Sequence, residues 1–190
     1  MMGGRGQRMG GVDKSTLNIN GRSFYDIAIS RLNHAFQSVA VSTGAHPNAN
    51  VHLPQFTDID VHGEAIGPSG GLLAALNWAD SLGLEAVITL PVDTPILPDN
   101  ICERLRASGQ ACYAQYGDQA HWLHASWPIS ERSALRHYII DKQIYSLQEL
   151  HRAIGSRPVM FESPKEADVK RVQYFKNINT PQDLKSLREI

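Results

Sequence analysis

Apolar positions along this chain switch between two periods, and the switches outline its elements. Phe24, Ile27, Ala28, Leu32 and Ala35, with Arg31, share one side of a predicted helix that Ser23 caps and that runs to Phe36. Ser38–Ser42 is short, apolar and β-branched, which predicts a buried strand, and 51–53 predicts a weaker one. The polar stretch 54–69 predicts a long loop, of a length that is uncommon unless the loop is functional or mobile. Ser69 is placed to cap a Leu- and Ala-rich helix over 70–82, and Glu85–Leu90 is the clearest buried strand. Pro98 and Asp99 open a helix to about Ala107. Segments 110–116 and 119–127 flank Gly117-Asp118, which predicts a type I′ hairpin. Helices are predicted over 130–140 and 146–154, and a strand over 158–162. Thr180-Pro181-Gln182-Asp183 is a capping box with Pro at the first helical position, so a last helix follows.

Strands alternating with helices predict one α/β domain over residues 1–190. Its expected form is a mostly parallel sheet covered by helices on both faces, three layers in all, with one antiparallel element from the hairpin near 117. No repeat, low-complexity tract or linker divides the chain.

Composition narrows the function classes. The 190 residues are 42% hydrophobic and 19% charged, with a formal net charge of −1. That balance gives no basic field for nucleic acid or for an anionic membrane. No apolar run approaches the ~20 residues a membrane helix needs, and the first residues lack a signal-peptide core. The two cysteines, Cys102 and Cys112, match no metal spacing and make no disulfide framework. A cytoplasmic setting is the expectation.

Charge is nevertheless concentrated at one end. Gly3-Gly4-Arg5-Gly6-Gln7-Arg8-Met9-Gly10-Gly11-Val12-Asp13-Lys14 combines glycines with cations. Glycines let backbone N–H groups curl around phosphate oxygens. Arg8 offers a planar fork and Lys14 a compact charge. The segment is neither a Walker loop nor a dinucleotide fingerprint. Asp93, in Leu90-Pro91-Val92-Asp93-Thr94-Pro95, stands just past a buried strand, where α/β sheets bind ligands. A lone carboxylate there suits Mg²⁺ shared with phosphates. Asn177 and Asn179 are two apart, so an extended segment turns both amides to one face. Gly67-Pro68-Ser69-Gly70-Gly71 precedes a helix and lets a ligand approach its N-terminus. His121 and His124 lie in a predicted strand, where three-residue spacing sends their rings to opposite faces and argues against a metal pair. The three tryptophans, Trp78, Trp122 and Trp127, are expected to pack core and sheet. Asp58, His62 and Glu64 are expected to be solvated, in a loop that could close over a ligand.

These segments, in this order, resemble the molybdenum cofactor guanylyltransferases, the MobA family, over essentially the whole chain. The resemblance implies a single nucleotidyltransferase domain of three-layer, Rossmann-like fold that uses GTP and Mg²⁺ to attach GMP to molybdopterin and releases pyrophosphate. It assigns Gly3, Gly4, Arg8 and Lys14 to the phosphate loop and Asp93 to the metal. Asn177 and Asn179 match the family's pair near the acceptor. Gly67 falls in the nucleotide site, and so does Asp60, whose carboxylate could accept from guanine N1–H and N2–H₂. Ser42 falls where the family often has an asparagine near the nucleotide. Passing contact with molybdoenzyme maturation proteins is also implied.

One departure stands out. The family loop follows a buried apolar strand ending in Leu-Ala, and here Met1-Met2 stand in that place. The expectation is that the natural start lies upstream, and that a version extended upstream is more stable and more active. Three alternatives remain open: a related nucleotidyltransferase using CTP or a sugar phosphate, an inactive relative that binds nucleotide, and a structural protein. A panel of triphosphates with pyrophosphate release separates the transferases, GTP affinity without transfer marks the inactive relative, and no nucleotide binding marks the structural protein.

Overall fold

The computed structural model describes residues 14–36, 38–45, 48, 51–162 and 174–188. A 3-10 turn at Lys14–Thr16 leads into a small hairpin, β1 (Asn18–Ile19) and β2 (Arg22–Ser23). Asn20 and Gly21 both take positive φ, 50° and 80°, the type I′ geometry that Asn-Gly favours. The hydrophobic pattern does not announce this hairpin, because two-residue strands are too short to alternate. Helix α1 (Phe24–Ala35) starts on a capping box, with the Ser23 hydroxyl and the Asp26 carboxylate each accepting the other residue's backbone N–H.

β3 (Val41–Ser42) pairs in parallel with β4 (Gln55–Phe56), so the strand expected over 51–53 lies a few residues later. The stretch 54–69 is not structureless either. After β4, β5 (Asp60–Val61) and β6 (Glu64–Ala65) pair antiparallel around His62 and Gly63, which both carry positive φ. Helix α2 (Pro68–Ser81) is capped by Gly67 at φ 66°, ψ −148°, a region open essentially to glycine. Ser69 therefore does not cap it. It lies inside the helix, buried, and its hydroxyl donates to the Ile66 carbonyl at 2.8 Å.

β7 (Ala86–Thr89), α3 (Ile101–Ala107), β8 (Cys112–Tyr116) and β9 (Gln119–Pro128) follow. At the β8–β9 turn Gly117 has positive φ and Asp118 does not, the pattern of type II′ rather than I′. The predicted helix over 130–140 is a 3-10 turn, α4 (Arg132–Arg136) and a π turn at His137–Asp141. Then come α5 (Leu147–Ala153), β10 (Arg157–Phe161) and α6 (Pro181–Arg188). The main sheet runs β10-β8-β9-β7. β10 is parallel to β8, while β9 is antiparallel to both β8 and β7, so β7, β8 and β10 point one way and β9 alone opposes them.

Two cores sandwich this sheet. On one face α2, α4, the π turn and α5 close over Trp127 through Leu72, Leu76, Leu135, Ile139 and Leu150. On the other, α3 brings Ile101 and Leu105 against Cys112, Ala114 and Phe161, with Leu32 of α1 packed alongside. Both cysteines are buried free thiols. The tryptophans pack as expected. Trp127 is fully buried, Trp122 rests on Tyr113 with centroids 4.4 Å apart, and Trp78 lies 6.2 Å from Phe56.

β9 carries a wide bulge. Tyr113 of β8 faces Ala125, but its neighbour Ala114 faces His121, so residues 122–124 oppose nothing on that strand. Backbone carbonyls freed in this way need partners. His151 supplies one, its Nε2 donating to the Trp122 carbonyl at 2.8 Å, and the Thr89 hydroxyl donates to the Leu123 carbonyl at 2.7 Å. The bulge also inverts the strand's alternation. The His121 and His124 rings, expected on opposite faces, lie on one face with centroids 5.7 Å apart.

Candidate active site

Beyond the end of β7 the chain turns through Pro91-Val92-Asp93-Thr94, and this turn meets the segment before α6. The Ile178 N–H donates to the Asp93 carbonyl at 2.8 Å, and the Phe175 N–H donates to the Ile96 carbonyl at 3.0 Å. Hydrophobic burial holds the same junction. Val92 and Ile178 share a core with Ile19 and Phe24. Ile178 is fully buried, while Asn177 is exposed and Asn179 half-buried. Asp93 itself is half-buried. Two motifs about eighty-five residues apart thus join, with Asp93 on one loop and two amides flanking an inward Ile178 on the other.

α6 fixes the asparagine segment. The Asp183 carboxylate accepts the Asn179 and Thr180 N–H groups at 3.1 and 2.9 Å and the Thr180 hydroxyl at 2.8 Å. The Thr180 hydroxyl and these amides hold the Asp183 carboxyl below the usual carboxylate range. Phe175 is the anchor on the other side. Its φ is 62°, a left-handed conformation that is an outlier for a bulky side chain. An aromatic nest keeps it there, with His121 stacked at 4.4 Å and His124 and Phe161 edge-on at 5.1 and 5.5 Å.

A second group gathers at the start of α2. Ser42, at the end of β3, is buried and donates its hydroxyl to the Asp58 carboxylate. Asp58, expected to be solvated, is therefore half-buried and engaged, whereas His62 and Glu64 are exposed as expected. Asp60 is exposed, and one of its oxygens accepts the Gly63 N–H at 3.3 Å. The Ile59 N–H donates to the Gly70 carbonyl at 3.2 Å, and a Cβ on Gly70 would overlap the Ile59 carbonyl oxygen. Gly70 is thus what lets the β4–β5 segment lie against the helix.

Topology places the two groups at one end of the molecule. α2 (14 residues) reaches β7 through the short turn 82–85 and packs on it, so the two run antiparallel. The start of α2 and the end of β7 therefore share the carboxyl edge of the strands. Of the phosphate-loop residues, Gly3, Gly4 and Arg8 lie outside the described residues, as does the Lys14 side chain. The Lys14 backbone starts the 3-10 turn. Three residues on, Leu17 packs against the core that holds Val92 and Ile178, within the roughly 10 Å that three extended residues span.

Comparison with known proteins adds a second line. The family model for the MobA-like NTP transferase domain matches residues 1–156. The chain belongs to the MobA-like NTP transferase family. It is 35% identical to the molybdenum cofactor guanylyltransferase of Acidiphilium cryptum over 97% of this chain and 89% of that protein. The Mesorhizobium japonicum protein of the same name is 33% identical over 97% of this chain and 90% of its own length. Among solved structures, molybdopterin-guanine dinucleotide biosynthesis protein A from Archaeoglobus fulgidus superposes with a TM-score of 0.70 at 21% identity, covering 99% of this chain and 94% of that one. This last likeness speaks for the fold. The chain is thus an enzyme of the nucleotidyltransferase class, of three-layer α/β architecture.

Within this MobA-like enzyme the donor chemistry near Asp93 is informative. Among the described residues, no group of three or more His, Cys, Asp and Glu side chains is close enough to hold a metal ion. A single carboxylate such as Asp93 fits a hard divalent cation that takes most of its ligands from phosphate and water. No helix among the described residues is long and apolar enough to cross a membrane. Sequence reasoning passed over Asp58, Thr94 and the placement of His124. Their roles depend on partners 16 and 30 residues away, and no local spacing signals them.

Proposed function

We propose that the enzyme transfers GMP from GTP to molybdopterin, forming the guanine dinucleotide form of the molybdenum cofactor. A phosphate oxygen of the acceptor attacks the α-phosphorus of GTP. The bond from that phosphorus to the bridging oxygen breaks, and pyrophosphate leaves with the electron pair. The observation that supports this reading is the backbone junction of Asp93 with Ile178 at 2.8 Å, which joins the turn that carries Asp93 to the segment that carries Asn177 and Asn179. The relatives' shared name supplies the nucleotide and the acceptor.

In this reading little covalent work falls to the protein, and positioning with charge neutralisation dominates. Gly3, Gly4, Arg8 and Lys14 bind the triphosphate, the two cations offsetting charge that grows on the leaving pyrophosphate. Asp60 and Gly67 receive the nucleoside at the start of α2, where Asp60 accepts from the guanine edge. Ser42 acts from behind, tying β3 to Asp58 and so setting the loop that leads to Asp60. Asn177 and Asn179 orient the acceptor. Asp93 would hold Mg²⁺, which when bound neutralises phosphate charge and aligns donor and acceptor oxygens. The whole chain works as one domain, in the cytoplasm.

The test is turnover with each of the four triphosphates, Mg²⁺ and molybdopterin, followed by mass analysis of the product. GTP is expected to give the dinucleotide and pyrophosphate. Asp93→Asn is expected to lower turnover at least a hundredfold, by the ~3 kcal/mol that such electrostatic groups supply, with the melting temperature kept. Normal turnover by that variant, or preference for CTP, overturns the assignment.

A further inference from the structure

The bulge in β9 has a consequence at the other end of its histidine. His124 is buried, and its Nε2 lies 2.8 Å from the Thr94 hydroxyl. That hydroxyl also lies 3.1 Å from the Pro91 carbonyl, to which it donates its single hydrogen. The imidazole must then be the donor, with its hydrogen on Nε2. The result is a directed chain, His124 Nε2–H to Thr94 Oγ to Pro91 carbonyl, that spans the turn carrying Asp93. The same ring lies edge-on to Phe175 at 5.1 Å, and Phe175 is the strained residue two positions before Asn177.

We infer that His124 is a positioning residue, clamping the Asp93 turn and the asparagine segment into one register. The inference rests on the function proposed above, because its catalytic readout needs guanylyl transfer. One ring reaches both loops, by a hydrogen bond to Thr94 and an aromatic contact with Phe175. It reaches them only because the bulge, of which it is the last residue, turns it onto the face of His121. Thr89 and His151 hold the bulge in place through the Leu123 and Trp122 carbonyls. His124 is buried behind the Asp93 turn, and the function proposed above assigns the nucleoside to the separate group around Asp60 and Gly67 and the triphosphate to the N-terminal loop. Loosening the clamp therefore affects kcat more than the KM for GTP.

Four variants test this. His124→Phe keeps the ring and removes the donor. His124→Gln places an amide nitrogen three bonds from Cβ, as in histidine Nε2, and restores the donor. Thr94→Val keeps the shape and removes the relay, and Thr94→Ser restores it. His124→Phe and Thr94→Val are expected to lower kcat roughly ten- to hundredfold, as displaced groups do, with the KM for GTP within about twofold of the parent. The second readout is hydrogen exchange of the Ile178 amide, which donates to Asp93. It is expected to speed up in both variants and to return in His124→Gln and Thr94→Ser. Wild-type kcat and wild-type Ile178 exchange in Thr94→Val overturn the clamp, and so does equal loss in Thr94→Val and Thr94→Ser. Should His124→Phe fail to fold, the threonine pair decides. Should the wild-type chain transfer no GMP, the functional proposal falls, and the exchange measurements still decide whether the clamp exists.

Discussion

At the scale of single residues, several positions are set by space rather than by chemistry at the substrate. Gly70 is the sharpest case. Its missing Cβ is where the Ile59 carbonyl lies, and that approach brings the Asp58–Asp60 segment onto α2. Gly70→Ala is expected to destabilise the protein by about 1–3 kcal/mol, the usual cost of overpacking, and to weaken GTP binding by shifting Asp60. Urea unfolding and a GTP titration of the same sample check both effects. A variant with unchanged midpoint would show that the Ile59 backbone moves away at little cost. Phe175 is the opposite kind of residue, held in a strained φ by aromatic contacts rather than relieved by a glycine.

At the scale of elements, caps and the bulge do most of the positioning. α6 begins on Thr180 and Asp183, and the same carboxylate grips the Asn179 N–H. The cap of the last helix and the shape of the asparagine segment are therefore one structure. Asp183→Ala is expected to cost about 1 kcal/mol, the ordinary value of a cap. It should raise hydrogen exchange along 181–185 and at Asn179 together. Exchange that rises in the helix while Asn179 stays protected would separate the two roles. In β9 the bulge turns a strand that reads as regular into a bracket for the site. Its carbonyls are met by Thr89 and His151 from two different elements.

At the scale of the whole molecule, two buried histidines link stability to pH. Burial pushes His124 down to about 3 and His151 down to about 4, from an ordinary value of 6.5. In the unfolded chain both protonate near 6.5, while in the fold both stay neutral. The unfolded state thus binds more protons as pH falls below 6.5, and stability drops with it. Their contribution is complete above about pH 7. It is lost progressively as pH falls through 6.5, down to about 4 for His151 and about 3 for His124. At pH 5 each histidine is expected to have cost about 2 kcal/mol. Unfolding free energies at pH 7.5, 6 and 5 should therefore decline, and His151→Gln should decline less steeply. Equal slopes for the two proteins would mean that His151 takes up its proton in the fold as readily as in the unfolded chain.

How much of this was legible in the sequence depends on how local the cause was. The helix after Ser23, the strand over 85–90, the hairpin at 117 and the capped last helix were legible because each follows from periodicity, caps and turn residues within a few positions. The motif around Asp93 and the pair Asn177 and Asn179 announced themselves by residue type, and so did the family resemblance. Ser69 misled as a cap because Ser and Gly both suit that position, and only backbone geometry chose Gly67. The facing of His121 and His124 misled because a bulge inverts alternation without changing composition. The sequence by itself determined the elements whose causes are local, and its motifs in their order carried the family resemblance that implied the class of enzyme. Tertiary structure alone decided which of them meet: Asp93 with Ile178, Ser42 with Asp58, and His124 with Thr94. Those partners lie far apart along the chain, and only packing of the whole sheet and its helices brings their atoms within bonding distance.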